Sequence, residues 1–237
     1  MATPEARARR EILARVPVFA KLGERELDEL AQVAHTRHLR PREELFHKGD
    51  EGSQVYVIVR GRLRVGTTSA AGDDVQFGIM NPCEVFGELA LLAGCHRTGT
   101  VTAIDECELL CLERRDFLSF LRRGHPDVAI HLLEVLADRL RRISEFVEDT
   151  VFLNLPARLA KKLLGLAEAY GREGPGGVRI DLKLSQQELA TMVGTTRESV
   201  NKQMRAWEDA GVATSERGFI TIHRLRELQS LAGFVES

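Results

Sequence analysis

Two helix-capping motifs, the second directly preceded by a glycine, stand out in the C-terminal third of the sequence. Residues 185–188 are Ser-Gln-Gln-Glu and residues 195–198 are Thr-Thr-Arg-Glu, with Gly194 directly before the second motif. A hydroxyl residue followed three positions later by glutamate is the capping-box pattern, in which both side chains satisfy amide donors at a helix start. Two capped helices joined by a glycine turn predict a helix-turn-helix over residues 185–207.

The second of these helices carries side chains suited to reading DNA bases. Val200, Met204 and Trp207 recur at helical spacing and predict a buried face. The N-terminal end of such a helix enters the major groove, where arginine and lysine can bind guanine and glutamate can accept from cytosine. The predicted DNA contacts are Gln187, Thr196, Arg197, Glu198, Asn201 and Lys202. The alternative is a solvated face with capping charges.

A hairpin is predicted to follow, with strands at residues 212–215 and 219–222 around Glu216-Arg217-Gly218. It could serve as a wing beside the DNA. The carboxylate of Glu216 would be unfavourable next to phosphates, so we expect the wing to add little affinity.

A second cluster suits the binding of a phosphate and a sugar. Phe86-Gly87-Glu88-Leu89-Ala90 is followed by Gly94 and by Arg97-Thr98-Gly99-Thr100-Val101; we call residues 86–101 the cassette. Amides at a short helix start can hold a phosphate, and one arginine can close on it with charge-assisted hydrogen bonds. Glu88 would repel that anion unless it accepts a sugar hydroxyl. The alternative is an internal ion pair between arginine and glutamate.

The elements around the cassette are predicted to be mostly strands. Residues 11–35 carry apolar side chains at helical spacing, and after Pro41 the chain changes to short alternating stretches punctuated by glycine, asparagine and aspartate. This texture predicts an antiparallel roll or barrel. The predicted strands span residues 54–59, 63–65, 75–79, 100–103 and 109–112.

A helix with a heptad seam is predicted over residues 127–150. The seam consists of Leu133, Leu136, Leu140, Ile143, Val147 and Thr150. Charged residues, Arg139 among them, flank it and favour a parallel homodimer, whereas packing on the roll of the same chain is the alternative. Pro156 interrupts the helix, and we expect a hinge at residues 152–156. A helix (157–170), a glycine-rich loop (171–177) and a strand (178–182) are predicted next.

Composition limits the classes of function. The formal net charge of −2 excludes a basic surface along the whole chain. We expect a cytosolic protein without a membrane span, and no enzymatic activity, because no nucleophile–base pair or metal-ligand spacing occurs. Cys83, Cys95, Cys107 and Cys111 are expected to stay reduced as small apolar residues. A redox, haem or iron–sulfur role is the alternative, with Cys95 and His96 as its best ligand pair.

These motifs resemble the CRP/FNR family of bacterial regulators over nearly the whole chain. The cassette is similar to the phosphate-binding cassette of cyclic-nucleotide-binding domains. Residues 197–200, Arg-Glu-Ser-Val, are similar to the start of the family's recognition helix. The resemblance implies an α+β fold with a jelly-roll-like β-roll (residues 1–126), a long dimerisation helix and hinge (127–153) and a winged helix-turn-helix domain (154–237).

The resemblance also implies roles for single residues. Gly87 and Leu89 would offer backbone to the phosphate, Glu88 would bind the ribose 2′-hydroxyl, and Arg97 with Thr98 would bind the cyclic phosphate. The base would meet Ser144 of the partner subunit. The expected effector is cAMP or cGMP, and the expected partners are a homodimer twin, RNA polymerase and double-stranded DNA with palindromic TGTGA-like half-sites. No cofactor or metal is expected.

Several positions depart from the family pattern. Ile143 stands where cAMP-specific members place a hydroxyl residue, and Thr98 after Arg97 is similar to cassettes that accept guanine in the syn form, so cGMP stays an alternative. Lys202 takes the place of a base-reading arginine and cannot bind bidentately, which predicts softer specificity at that base. The rival functions are a gas or redox sensor and a nucleotide-binding module that acts on a protein partner without DNA.

Overall fold

The computed structural model describes residues 4–68, 74–123 and 125–233. The chain divides into two compact units, Met1–Leu140 and Arg141–Ser237. Each unit combines helices with antiparallel strands, as the expected α+β class requires. None of the helices in the described part of the chain is both long and apolar enough to cross a membrane.

Two four-stranded antiparallel sheets form the roll of the first unit. One has the strand order β1-β8-β3-β6 and the other β2-β7-β4-β5. The strands are β1 (His35–Leu39), β2 (Glu44–Phe46), β3 (Gln54–Arg60), β4 (Leu63–Thr68), β5 (Asp74–Met80), β6 (Val85–Phe86), β7 (Thr100–Ala103) and β8 (Cys107–Glu113). The five predicted strands are confirmed, and β1, β2 and β6 are additional.

Alternating side chains of β3 explain how the roll is packed. Successive residues of a strand point to opposite faces of the sheet. Tyr56 and Ile58 therefore lie in the apolar core that both sheets share, whereas Val55 and Val57 lie in the core that includes the helices. All four side chains are buried. Every face of this strand is covered, which explains why its sequence is almost continuously apolar.

The helices of the first unit are α1 (Pro4–Leu13), a 3-10 turn (Pro17–Phe19), α2 (Glu24–Val33), α3 (Glu88–Ala93) and α4 (Arg114–Arg122). The helical spacing predicted over residues 11–35 corresponds to the end of α1, the 3-10 turn and α2. Pro17 starts the 3-10 turn, and Gly23 caps α2, with its amide donating to Glu26 Oε2 at 2.6 Å. These two residues divide the segment.

Helix α5 (Pro126–Phe152) contains the predicted seam, and α6 (Leu155–Tyr170) follows it. The interruption between them is confirmed, but α6 begins two residues earlier than predicted. The side chain of Asn154 accepts from the amide of Ala157 at 3.0 Å and caps the helix. Pro156 is tolerated because amides in the first turn have no partner within the helix.

The second unit has a four-stranded sheet with the order β11-β12-β10-β9. Its further elements are β9 (Gly171–Gly174), β10 (Gly177–Ile180), α7 (Gln186–Val193), α8 (Arg197–Asp209), β11 (Ala213–Glu216), β12 (Phe219–Ile222) and α9 (Leu225–Leu231). The predicted loop at residues 171–177 is instead a hairpin of β9 and β10, because the glycine backbone pairs without needing an apolar side-chain pattern.

Candidate functional site

Gly87 shapes the start of the cassette. It lies between β6 and α3 with φ 84°, a left-handed conformation that glycine adopts without strain. A Cβ atom at this position would lie 2.7 Å from Arg97 Nη1 and 3.1 Å from the carbonyl oxygen of Gln54. Glycine is therefore needed here for both the backbone turn and the close approach of the arginine.

Arg97 is held against the backbone of the cassette. Its side chain is buried, Nη1 donates to the Gly87 carbonyl at 3.0 Å, and Nη2 donates to the Gln54 carbonyl at 2.8 Å. The guanidinium lies 4.2 Å from the centre of the Phe46 ring. Burial lowers the pKa of Arg97, but an arginine side chain remains protonated in proteins. Its Nε has no hydrogen-bond partner among the described residues.

Glu88 is fully buried beside this arginine and pairs with a different one. Its Oε1 accepts from Arg139 Nη1, and Arg139 Nη2 also donates to the Val85 carbonyl at 2.6 Å. Glu88 thus forms an internal ion pair, but with Arg139 of α5 and not with the arginine of the cassette. Glu88 Oε2 has no hydrogen-bond partner among the described residues. In the sequence, Arg139 is distinguished only as a charge beside the seam.

The remaining predicted ligand contacts differ in position. Thr98 follows Arg97 directly and is exposed, as is Leu89 in α3. Ile143 and Ser144 are exposed residues of α5 in the second compact unit. The structure brings Gly87, Glu88 and Arg97 together, and the roles of Ile143 and Ser144 stay predictions.

The helix-turn-helix is confirmed in α7 and α8. Ser185 Oγ accepts from the Glu188 amide at 3.1 Å, and Glu188 Oε2 accepts from the Ser185 amide at 2.7 Å, so the first capping box is complete. The second cap differs from the prediction: Thr196, rather than Thr195, caps α8 by accepting from the Ser199 amide at 3.2 Å. Glu198 lies in the first turn of α8 and is free to face outward.

Helix α8 has one buried and one exposed face. Val200, Met204 and Trp207 are buried as predicted. Gln187, Thr196, Arg197, Glu198 and Lys202 are exposed, and Asn201 is half-buried. Within the described residues, the side chains of Arg197, Glu198 and Lys202 form no hydrogen bond or ion pair, so their polar groups are available to an external partner. Exposed Arg205, one turn after Asn201, extends this face; its i+4 spacing could have indicated it.

The wing is a two-residue hairpin of β11 and β12. Arg217 and Gly218 form its turn with φ 53° and 87°, which is the backbone that twisted hairpins favour. Arg179 of β10 lies 4.3 Å from the centre of the ring of Phe219, the residue that follows the turn of the wing.

Helix α5 carries an exposed apolar stripe along the predicted seam. Leu133, Leu140, Ile143 and Val147 each expose more than half of their side-chain surface, whereas Leu136 is half-buried. Thr150 is exposed, and its hydroxyl donates to the Phe146 carbonyl. Leu133 and Leu140 are therefore not buried against the roll of the same chain.

The cysteines do not form a metal centre in the described part of the chain, which contains no cluster of three or more His, Cys, Asp or Glu suited to an ion. All four are free thiols, and Cys107 and Cys111 are buried. Burial raises the pKa of both buried thiols, that of Cys111 to about 11. A raised thiol pKa disfavours the reactive thiolate. These features do not favour the redox alternative.

Comparison with known proteins matches both parts of the chain. Residues 36–124 match the cyclic nucleotide-binding domain, and residues 157–231 match the Crp-like helix-turn-helix domain. The chain is 33% identical over 206 residues to a CRP-like cAMP-activated global transcriptional regulator of Mycobacterium tuberculosis, covering 85% of this chain and 89% of that protein. It is 32% identical to a cyclic AMP receptor protein of Thermus thermophilus, with 91% and 96% covered.

Solved structures share the fold of this chain. The c-di-GMP-responsive global regulator CLP of Xanthomonas campestris shares the fold with a TM-score of 0.76 at 19% identity, over 85% of this chain and 99% of that chain. The catabolite activator protein of Thermus thermophilus has 29% identity and a TM-score of 0.52, with 93% and 100% covered. The relatives are transcription regulators and not enzymes. With both domains matched in order, the chain belongs to the CRP/FNR family of cyclic-nucleotide-binding transcription regulators.

Proposed function

We propose that this chain is a homodimeric, sequence-specific DNA-binding regulator whose affinity for DNA is controlled by a cyclic nucleotide in the cassette. The observation that carries the proposal is a pair of buried, unpartnered polar atoms, Glu88 Oε2 and Arg97 Nε. An unsatisfied buried polar group costs about 1–3 kcal/mol. A ribose hydroxyl can donate to the carboxylate oxygen, and a phosphate oxygen can accept from Arg97. A cyclic nucleotide carries both groups on one rigid ring system.

The effector we propose is cAMP, with cGMP as the alternative. The names of the relatives from Mycobacterium tuberculosis and Thermus thermophilus support cAMP. Thr98 beside Arg97 and Ile143 in the place of a hydroxyl residue support a tolerance for guanine. The base would contact Ile143 and Ser144, an assignment that rests on the family resemblance alone.

The DNA contacts follow from the exposed end of α8. Arg197 would bind guanine, Glu198 would accept from a cytosine amine, and Asn201 and Lys202 would reach neighbouring bases or phosphates. Gln187, in the first turn of α7, and Thr196, the N-cap of α8, would contact the backbone. In a twofold-symmetric dimer, two such helices would bind the half-sites of a palindrome, about 34 Å apart along one DNA turn.

The apolar stripe on α5 supports a dimer. Removing one leucine side chain from water contributes about 1.5–3 kcal/mol. Leu133, Leu136, Leu140, Ile143 and Val147 repeat every three or four residues, so a parallel twin helix would cover all of them at once. By family resemblance, we also propose that RNA polymerase is a partner and that it contacts the hairpin of residues 171–177. The proposed location of the protein is the cytoplasm.

Calorimetric titration with cAMP and cGMP tests the effector site. A hydrogen bond to a charged group contributes about 1.5–3 kcal/mol, so Arg97→Ala should weaken binding of the preferred nucleotide about 10- to 140-fold. Arg60→Gln is the control, because Arg60 is an exposed arginine paired with Glu106 outside the cassette. Unchanged affinity in a folded Arg97→Ala protein would refute the assignment.

A further inference from the structure

A second polar cleft opens on the first unit, outside the contacts assigned to the cyclic nucleotide. Its volume is about 1010 Å³, and three segments line it: the turn at residues 51–53, the loop at 94–96 and the outer face of α4. Small-molecule sites are concave and typically have volumes of about 300–1,000 Å³. The cleft therefore has the size of a ligand site.

Guanidinium groups dominate one wall of this cleft. Arg114, Arg115, Arg122 and Arg123 all line it. Arg115 and Arg123 have acidic partners in Asp116 and Glu29. Arg114 donates through Nε to the Leu91 carbonyl at 2.8 Å, and neither it nor Arg122 forms an ion pair within the described residues. Two cations on one helix thus have no anionic partner among the described residues.

The cleft also has acceptors for hydroxyl groups. Glu51 is exposed on the turn, and Glu113 accepts from Gln54 Nε2 at 2.6 Å through one oxygen, which leaves its second oxygen available. Carboxylates here would repel an acidic peptide but can accept hydrogen bonds from a sugar. Arginine binds phosphate oxygens with two parallel hydrogen bonds.

We propose that this cleft binds a small, phosphate-bearing metabolite with hydroxyl groups, and that this ligand changes the affinity of the cassette for its nucleotide. The phosphate lies between Arg114 and Arg122, and the hydroxyls face Glu51 and Glu113. The coupling rests on the proposed function, whereas the site does not.

Three contacts connect the cleft to the part of the cassette that contains Gly87, Glu88 and Arg97. Arg114 donates to Leu91, which belongs to the same short helix as Glu88. Gln54 binds Glu113 with its side chain and Arg97 with its carbonyl. A Cβ atom on Gly52 would lie 2.3 Å from the Ala90 Cβ, so the turn is packed tightly against α3. An anion that moves Arg114 therefore moves α3, and by linkage each ligand changes the affinity of the other by the same factor.

Calorimetric titration of inorganic pyrophosphate into the cAMP-saturated full-length protein, at about 0.15 M salt to screen surface charges, tests the site. We expect binding to the wild type and a loss of affinity of about tenfold or more in Arg114→Gln/Arg122→Gln, given the strength of charged hydrogen bonds. The matched control Arg25→Gln/Arg226→Gln removes two exposed arginines outside the cleft and should bind normally.

Arg122→Glu keeps the test valid if the double variant does not fold, because the exposed Arg122 side chain has no partner within the described structure. We expect no pyrophosphate binding to it. Equal affinity of the wild type and Arg122→Glu for pyrophosphate would overturn the site. It would also be overturned if Arg97→Ala lost pyrophosphate binding while the cleft variants kept it. Cleft-dependent binding of poly-glutamate without binding of pyrophosphate would also overturn it, because the cleft would then be a protein-docking surface.

The coupling is measured as the dissociation constant of cAMP with and without saturating pyrophosphate. We expect a saturable change of about fivefold or more, at the lower end of typical couplings, that is absent in Arg122→Glu. An unchanged constant, or a change that grows without limit as in simple competition, would overturn the coupling. Pyrophosphate binding in a protein that binds no cyclic nucleotide would contradict the proposed function and leave the cleft site intact.

Discussion

The carboxylate of Glu88 offers the sharpest test of how the ribose is recognised. Its Oε1 accepts a hydrogen bond from Arg139, and its buried Oε2 has no hydrogen-bond partner among the described residues. If Oε2 accepts from the ribose 2′-hydroxyl, removal of that hydroxyl costs a hydrogen bond to a charged group, about 1.5–3 kcal/mol. The wild type should therefore bind 2′-deoxy-cAMP about 10- to 140-fold more weakly than cAMP.

Replacement of the carboxylate should reduce this discrimination. Glu88→Gln keeps the shape of the side chain, so an oxygen can still accept from Arg139, but the remaining bond to the ribose is between neutral groups. Such a bond contributes about 0.5–1.5 kcal/mol, which predicts a ratio of only about 2- to 12-fold between the two nucleotides. The ratio of the two dissociation constants is insensitive to a general loss of protein stability, because both nucleotides bind to the same variant.

The assay is calorimetric titration of both nucleotides into the wild type, Glu88→Gln and a control. Glu84→Gln is a matched control, because Glu84 lies four positions upstream and already accepts from the Asn81 amide at 3.1 Å. The control should keep the wild-type ratio. The reasoning is refuted if Glu88→Gln keeps the full wild-type ratio, or if the wild type binds both nucleotides equally.

The remaining predictions concern DNA reading, assembly and the thiols. Arg197→Ala should relax base preference at one position of the half-site by about 1–3 kcal/mol while leaving the salt dependence nearly unchanged; a uniform loss across all DNA sequences would argue against base contact. Leu133→Glu/Leu140→Glu should yield a folded monomer by analytical ultracentrifugation, since both side chains are exposed in the single chain, and a stable dimer would exclude the seam. Cys107 and Cys111 should react with a thiol reagent at pH 8 only after denaturation, because burial raises their pKa values; rapid labelling in the native state would contradict this.

Locally encoded parts of the fold were predictable from the sequence. The helix-turn-helix depends on caps and one glycine turn within about twenty residues, and these signals act between neighbours in the chain. The second cap lies at Thr196 and not at Thr195. The capping motif does not distinguish these two residues, because two adjacent threonines offer the same hydroxyl. Gly87 and Arg97 likewise come together within a short segment.

Features that depend on distant residues were not predictable. Arg139 reaches Glu88 across 51 positions, and nothing in its heptad position distinguishes it from a solvent-facing charge. Strand β1 is mostly polar, with only Leu39 buried, so its pairing with β8 leaves no alternating pattern. The glycines of β9 pair through backbone alone. In each case the structure of the segment is determined by the distant residues that pair with it and not by its own sequence pattern.

The control of DNA binding by cyclic nucleotide is the central claim, and one measurement tests it directly. Fluorescence anisotropy of a labelled duplex with two TGTGA-like half-sites, at constant salt, gives the dissociation constant of the wild type at increasing cAMP or cGMP. We predict that the preferred nucleotide strengthens DNA binding by about tenfold or more and that Arg97→Ala abolishes the effect. The same affinity for DNA with and without either nucleotide would contradict the account.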